Sequence, residues 1–332
     1  MLHRTVPAGL CVCALAAALI WGLMPRAAAQ SPAQDAVKDY PNHPITLIVP
    51  YPAGGGVDVM GRLVGQRLSQ ALGQQVVIEN RGGAGGMIGT RDAARSAPDG
   101  YTLVMLLTGI SLGINPGYDV NKDFAPIGLV ASTPIIVVTH PSLPAQSLTD
   151  IIALAKKDPG KYSAGTPPAP TVNYFAAELF NTMAGTQITV VTYKGTGPLT
   201  NDLLGNHVQI GFNTIPASVS NISAGALRGI AVAAATRSAA LPDVPTAAEA
   251  GLPGFEAVQY YGLAAPAGTP RPIVERLNKE LRAMLASADM KKLLIDAGSD
   301  PTPSTPEEYA ANIQHEEGKW ADLVKKLGLK LE

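Results

Sequence analysis

Cysteine is nearly absent from this chain of 332 residues: it has two, Cys11 and Cys13, both close to the start. Everything after them is cysteine-free, which excludes disulfide staples, thiolate nucleophiles and cysteine metal centres from the body of the protein. The histidines, His3, His43, His140, His207 and His315, stand singly without helical metal-ligand spacing, so no metal site is expected. No Gly-Lys-Ser/Thr triplet occurs, which removes a P-loop. The glycine run from Gly83 lacks the third small residue and the downstream acid of a dinucleotide fingerprint, and no cofactor is expected. Basic and acidic residues nearly balance, 25 against 26, which is not the footprint of a nucleic-acid binder. Long apolar runs are also missing beyond the first 29 residues, so the rest of the chain should not cross a membrane.

What is present begins with a basic start at Arg4, an apolar run from Val6 to Met24 and a small-residue stretch Ala27–Ala29, the order of a secretory signal cleaved after Ala29. Residues 1–29 carry Arg4 and Arg26 and no acid, so removing them leaves 23 basic and 26 acidic residues, a net charge near −3. A secreted product is expected. Its roughly 300 residues exceed the usual size of one core and suggest two lobes.

Short apolar runs alternate with helical periodicity along the chain. Ile45–Pro50, Val76–Glu79, Tyr101–Leu107, Ile127–Ala131, Ile135–Thr139, Thr189–Tyr193, Val208–Phe212 and Leu227–Ala234 read as strands, with helices between most of them: an α/β plan with mostly parallel sheets. One helix ends at Gly73, another runs from Thr171 to Gly185, and Thr305 to Glu308 forms a capping box for a final helix. Proline and glycine clusters at Gly165–Pro170, Leu241–Pro245 and Ala264–Pro272 read as loops, the last a place for the chain to cross between lobes.

Three strand-to-helix turns could hold a ligand: Tyr51–Asp58, Arg81–Gly89 and Gly165–Asn173. In the first, Gly54, Gly55 and Gly56 expose backbone N–H groups at a helix start, an arrangement suited to a small anion. Asp58 has two readings there, a helix cap or a ligand contact, and the second would require an amine or hydroxyl on the guest. Gly109-Ile-Ser111-Leu-Gly113 matches the nucleophile-elbow pattern of a serine hydrolase, but Ile114-Asn-Pro-Gly117 follows where a helix should begin. Ser111 therefore remains a remote alternative, and no catalytic residue is expected.

Seven segments in order, Tyr51–Asp58, Glu79–Gly89, Pro98–Leu103, Lys122–Ile127, Tyr193–Gly195, Leu241–Thr246 and Ala265–Pro270, resemble the Bug family of TctC-like extracytoplasmic solute receptors of tripartite tricarboxylate transporters. The resemblance implies a type II periplasmic-binding-protein fold. In it, residues 30–132 and 257–332 would form one α/β lobe and 133–256 the other, around a central ligand cleft. It implies capture of a small organic acid by lobe closure, delivery to membrane permease subunits and a monomeric state, with a sensor kinase as the alternative partner. The positions carried over are Tyr51, Pro52, Ala53, Gly54, Gly55, Gly86 and Met87 in the first lobe, and Thr166 through Asn173, Tyr193, Lys194, Gly195, Asn213 and Thr214 in the second.

On this reading Tyr51 and Tyr261 wall the pocket and Ala53, Gly54 and Gly55 donate backbone N–H groups. Thr108, Thr166, Thr171, Asn173 and Asn213 supply side-chain hydrogen bonds, and Lys194 stands at the rim. The chain departs from the family pattern in three places. Its second turn is Gly165-Thr-Pro-Pro-Ala-Pro-Thr171, where each proline deletes an N–H donor; Val57 replaces a hydroxyl residue; and Leu112–Asp119 is short. These changes favour a less polar or differently shaped guest, an aromatic or neutral one being the alternative to a carboxylate.

Overall fold

A computed structural model describes residues 39–109, Leu112 and 116–329, together with Met1 and His3. Most of the expected signal segment, with Cys11 and Cys13, and Ser111 of the elbow-like motif lie outside the described residues. Among those described, no helix is long and apolar enough to cross a membrane.

The first strand, β1 (Ile45–Val49), is apolar and almost wholly buried, and it feeds through the glycine turn into α1 (Gly56–Leu72). Gly73 closes α1 in the left-handed conformation, where its N–H returns to Ser69, as the periodicity anticipated. Then follow β2 (Val76–Asn80), α2 (Met87–Ala94) and β3 (Thr102–Leu107), with β1 parallel to both β2 and β3.

The strands expected at 127–131 and 135–139 are one continuous strand, β4 (Phe124–Thr139). Pro134 does not break it, because no ladder donor is required of that residue where the strand passes from one sheet to the other. The second region contains α3 (Leu148–Lys157), β5 (Ser163–Thr166), α4 (Val172–Ala184), β6 (Thr189–Thr192), α5 (Thr196–Leu204), β7 (Ile210–Thr214), α6 (Ile215–Ser223) and β8 (Arg228–Val232). Its strand β5 runs parallel to β6 and β7, while β7 and β8 pair antiparallel to the second half of β4.

The chain returns along β9 (Val258–Pro266), antiparallel to both β3 and the first half of β4. Ala264–Pro266, read from sequence as loop, are the end of this strand: Pro266 sits at its last residue, where a missing N–H breaks no internal ladder. The remainder is α7 (Arg271–Ala286), α8 (Ala288–Asp296), the two-residue β10 (Asp300–Pro301) and α9 (Pro306–Leu327), started by the expected Thr305/Glu308 capping box. Two α/β lobes make up the fold, joined by β4, whose first half pairs in one sheet and second half in the other.

Four of the five phenylalanines do not pack near the first strand. Phe175, Phe180, Phe212 and Phe255 fill the second lobe, and Trp320 of α9 stacks on Phe175 at 5.4 Å between ring centroids. At the other end of the same helix, Tyr309 and Ile313 belong to the first-lobe core with Val104, Leu106 and Ala264. Helix α9 is therefore a strap anchored in both cores. Truncating a buried tryptophan to alanine typically costs about 3–5 kcal/mol, so this anchor is a large fraction of a normal folding free energy.

Candidate functional site

Four helices start at one cleft. Their N-cap residues, Gly55 of α1, Thr171 of α4, Gly195 of α5 and Thr214 of α6, all line the same cavity. A helix start carries unpaired N–H groups and about half a positive charge. Four of them aimed at one volume make a strongly anion-seeking site without a cationic side chain, and none of the described lining residues is charged. Tyr51, Pro52, Asn173 and Tyr261 complete the group of sequence-expected residues that the structure gathers here.

The lobes meet directly across this cleft. Gly56 N–H, the first of α1, donates to Thr196 Oγ1 of α5 at 3.2 Å. A side chain at Gly55 would place its Cβ 2.7 Å from Thr196 Oγ1, and one at Gly56 would place it 2.5 Å from Thr214 Oγ1. Glycine is needed at both positions because the opposing lobe occupies the space.

Two buried hydroxyls at this meeting point have no hydrogen-bond partner of acceptable geometry, Thr214 Oγ1 and Tyr261 OH. Burial pushes the Tyr261 phenol well above its usual range, offset in part by nearby Thr214, so it stays a neutral O–H. Buried polar groups are normally bonded, and two unpaired hydroxyls beside a helix start are suited to a ligand oxygen.

The first turn is held from behind. The Asp58 carboxylate accepts from Gly54 N–H at 3.0 Å, from Arg62 Nε at 3.0 Å and from Asn80 Nδ2 at 3.0 Å, while Asn80 Nδ2 also reaches Tyr51 O at 3.1 Å. Asp58 is not the expected helix cap, because no side chain caps α1; its oxygens are engaged by the protein as a brace on the turn. The Tyr51 hydroxyl donates to Gly85 O at 2.6 Å, tying the first turn to the second glycine loop.

Other expected residues lie apart from the cavity wall. Ala53 and Gly54 are exposed on the turn, and Gly86 backs the Tyr51 ring, leaving no room for a side chain. Met87 packs against the first-lobe core. Thr108 Oγ1 accepts from Tyr260 N–H, Thr166 donates to Pro167 O, and Asn213 bonds Thr200 Oγ1 and Thr214 N–H. Tyr193 and Lys194 line a separate outer groove with Gly83–Gly85 and Pro168.

Pro167, within the carried-over span Thr166 to Asn173, lines the cleft too, and so do four residues not expected as ligand contacts: Val57, Leu107, Thr196 and Gln259. Val57 stands in the sequence only as a departure from the family pattern. Thr196 directly follows Gly195, and the carried-over segment stopped one residue short. Gln259 lies two residues before Tyr261 and so shares its strand face, a signal that was hidden while β9 went unrecognised.

Residues 60–329 match the model of the tripartite tricarboxylate transporter family receptor. Protein BugT of Bordetella pertussis is 38% identical over 299 residues, covering 88% of this chain and 92% of that one. Among solved structures, Rpa4515 of R. palustris, determined with adipate, is 34% identical with a TM-score of 0.85, covering 87% of this chain and 99% of its own. MatC of Rhodopseudomonas palustris, determined with bound malate, is 31% identical with a TM-score of 0.81, covering 86% and 100%. The two-lobed fold, the glycine turn and the match over most of its length agree: this chain belongs to the tripartite tricarboxylate transporter receptor family.

Proposed function

We propose that the protein is an extracytoplasmic receptor that captures a small organic acid as its carboxylate by lobe closure and presents it to the permease subunits of a tripartite transporter. The convergence of four helix starts on one uncharged cleft carries this reading. Partial charges and free N–H groups are fixed there before the ligand arrives, and closure removes competing water. Adipate and malate in two related receptors support the ligand class. Residues 1–29 act as the export signal, the receptor works as a monomer, and it carries out no covalent chemistry.

A thermal-shift screen of protein refolded free of carried ligand tests this reading with mono-, di- and tricarboxylates beside neutral amides. A ligand at about a hundred times its dissociation constant adds roughly 2.7 kcal/mol, several degrees in melting temperature for a chain of this size. The expected result is a shift from carboxylates and none from their amides. A shift from amides alone, or from no carboxylate, overturns the reading.

A further inference from the structure

Resting on the carboxylate reading, we propose that Gln259 and Asn173 make this cleft selective for acids that carry a hydrogen-bond donor, a hydroxyl or an ammonium, over hydrocarbon acids of the same skeleton. Both residues are buried and line the cavity. Asn173 Nδ2 donates to Phe212 O at 3.0 Å and Gln259 Nε2 to Tyr260 O at 2.9 Å. A carbonyl accepts only from an N–H, so both amide orientations are fixed, with the nitrogen toward the protein. The Asn173 Oδ1 and Gln259 Oε1 atoms take no hydrogen bond from the described residues, and neither is sealed inside the protein as the Thr214 and Tyr261 hydroxyls are, so both oxygens open onto the cleft.

An amide oxygen can only accept, whereas the helix-start N–H groups and the Thr214 and Tyr261 hydroxyls can donate to a carboxylate. Tyr261 stands two residues from Gln259 on the same face of β9, so donors for the carboxylate and acceptors for something else lie within the span of one small molecule. The two acceptors repel a carboxylate oxygen and require an O–H or N–H. Bulk water meets that need while the lobes are apart. On closure a hydrocarbon acid displaces the water and leaves the oxygens bare, while a hydroxyl or an ammonium takes its place. A site built to hydrogen-bond a substituent rejects the analogue lacking it far more strongly than an apolar pocket rejects an added one.

Calorimetry on the ligand-stripped protein at neutral pH tests this with matched acids on the skeleton that binds: propionate against lactate, succinate against malate and aspartate, or adipate against 2-hydroxyadipate. The better donor-bearing acid should be favoured at least about tenfold over its hydrocarbon partner, the effect of leaving a buried acceptor unpaired. A smaller preference overturns the inference while leaving the carboxylate reading in place. If no carboxylate of any kind binds, that reading itself fails and takes this inference with it. Gln259→Leu removes one acceptor and should narrow the ratio at least about threefold, chiefly by weakening the donor-bearing acid. A ratio that stays put, whether both acids weaken together or neither does, overturns the assignment of Gln259. Gln259→Met, closer in length and also without an acceptor oxygen, repeats the test should the first variant misfold.

Discussion

The two turns that open onto the cleft are built from opposite materials. In the first, glycines leave the backbone bare and Asp58 and Asn80 brace it from behind. In the second, Pro167, Pro168 and Pro170 remove N–H groups, and the Thr166 and Thr171 hydroxyls both fold back onto Pro167 O, at 3.0 and 3.4 Å. Yet both turns end in an N-cap that lines the cavity, Gly55 and Thr171. What they share is the start of a helix, and proline before a helix leaves the helix's own first donors untouched. On the proposed reading, anion capture here rests on helix ends that both turns share despite their different composition.

The most severe way to break the first turn is to fill the space that its glycines leave for the other lobe. Gly56→Val puts a side chain 2.5 Å from Thr214 Oγ1, so the lobes cannot close, although each lobe can still fold. Affinity should fall at least a hundredfold, with solution scattering showing a more open particle. Unchanged affinity would mean that the guest binds outside the closed cleft.

The next effect separates ligand contact from structural support. Thr214→Val and Tyr261→Phe delete two buried hydroxyls that lie beside each other and make no hydrogen bond of good geometry in the protein. Each should cost roughly tenfold in affinity, the value of one hydrogen bond to a charged group, about 1.5 kcal/mol. The unliganded protein should be unchanged or slightly more stable, because a buried unpaired group has been removed. A loss of stability without loss of affinity would place these hydroxyls outside the binding machinery.

A smaller effect comes from the brace. Burial works to raise the Asp58 carboxyl, but bonds from Arg62, Gly54 N–H and Asn80 outweigh it and hold it below its ordinary value of 3.8. A depressed folded-state pKa contributes stability that is complete above the unfolded value and is lost as pH falls through the folded one. The difference in melting temperature between wild type and Asp58→Asn should thus be constant from pH 8 to about 5 and shrink below about 4, with affinity near neutrality reduced only a few-fold. A difference that persists at pH 3 would show that the charge of Asp58 is not what holds the turn.

How much of this was legible in the sequence follows the same division between local and distant order. The glycine turn, the helix ends at Gly73 and Gly185, and the Thr305 capping box depend on neighbours in sequence and could be read directly. Strand β9 could not, because its Gly-Leu-Ala-Ala-Pro end carries loop-like residues whose strand form is imposed by pairing with β3 and β4 far away in the chain. Gln259 was lost with it. Asn213 was expected as a ligand donor only through the family resemblance, and its side chain is engaged by Thr200 and the next backbone N–H, contacts that only the fold creates.

The mildest change bears on the proline turn itself. Pro167→Ala returns one N–H to the wall of the cleft while the donors of α4, which begin after Thr171, stay where they are. If helix ends carry the anion, affinity for the preferred acid should change by no more than about threefold, and the order of preference among acids should be kept. A tenfold gain would show that the missing loop donor had been limiting. The prolines, rather than the helix starts, would then set which acids this receptor accepts.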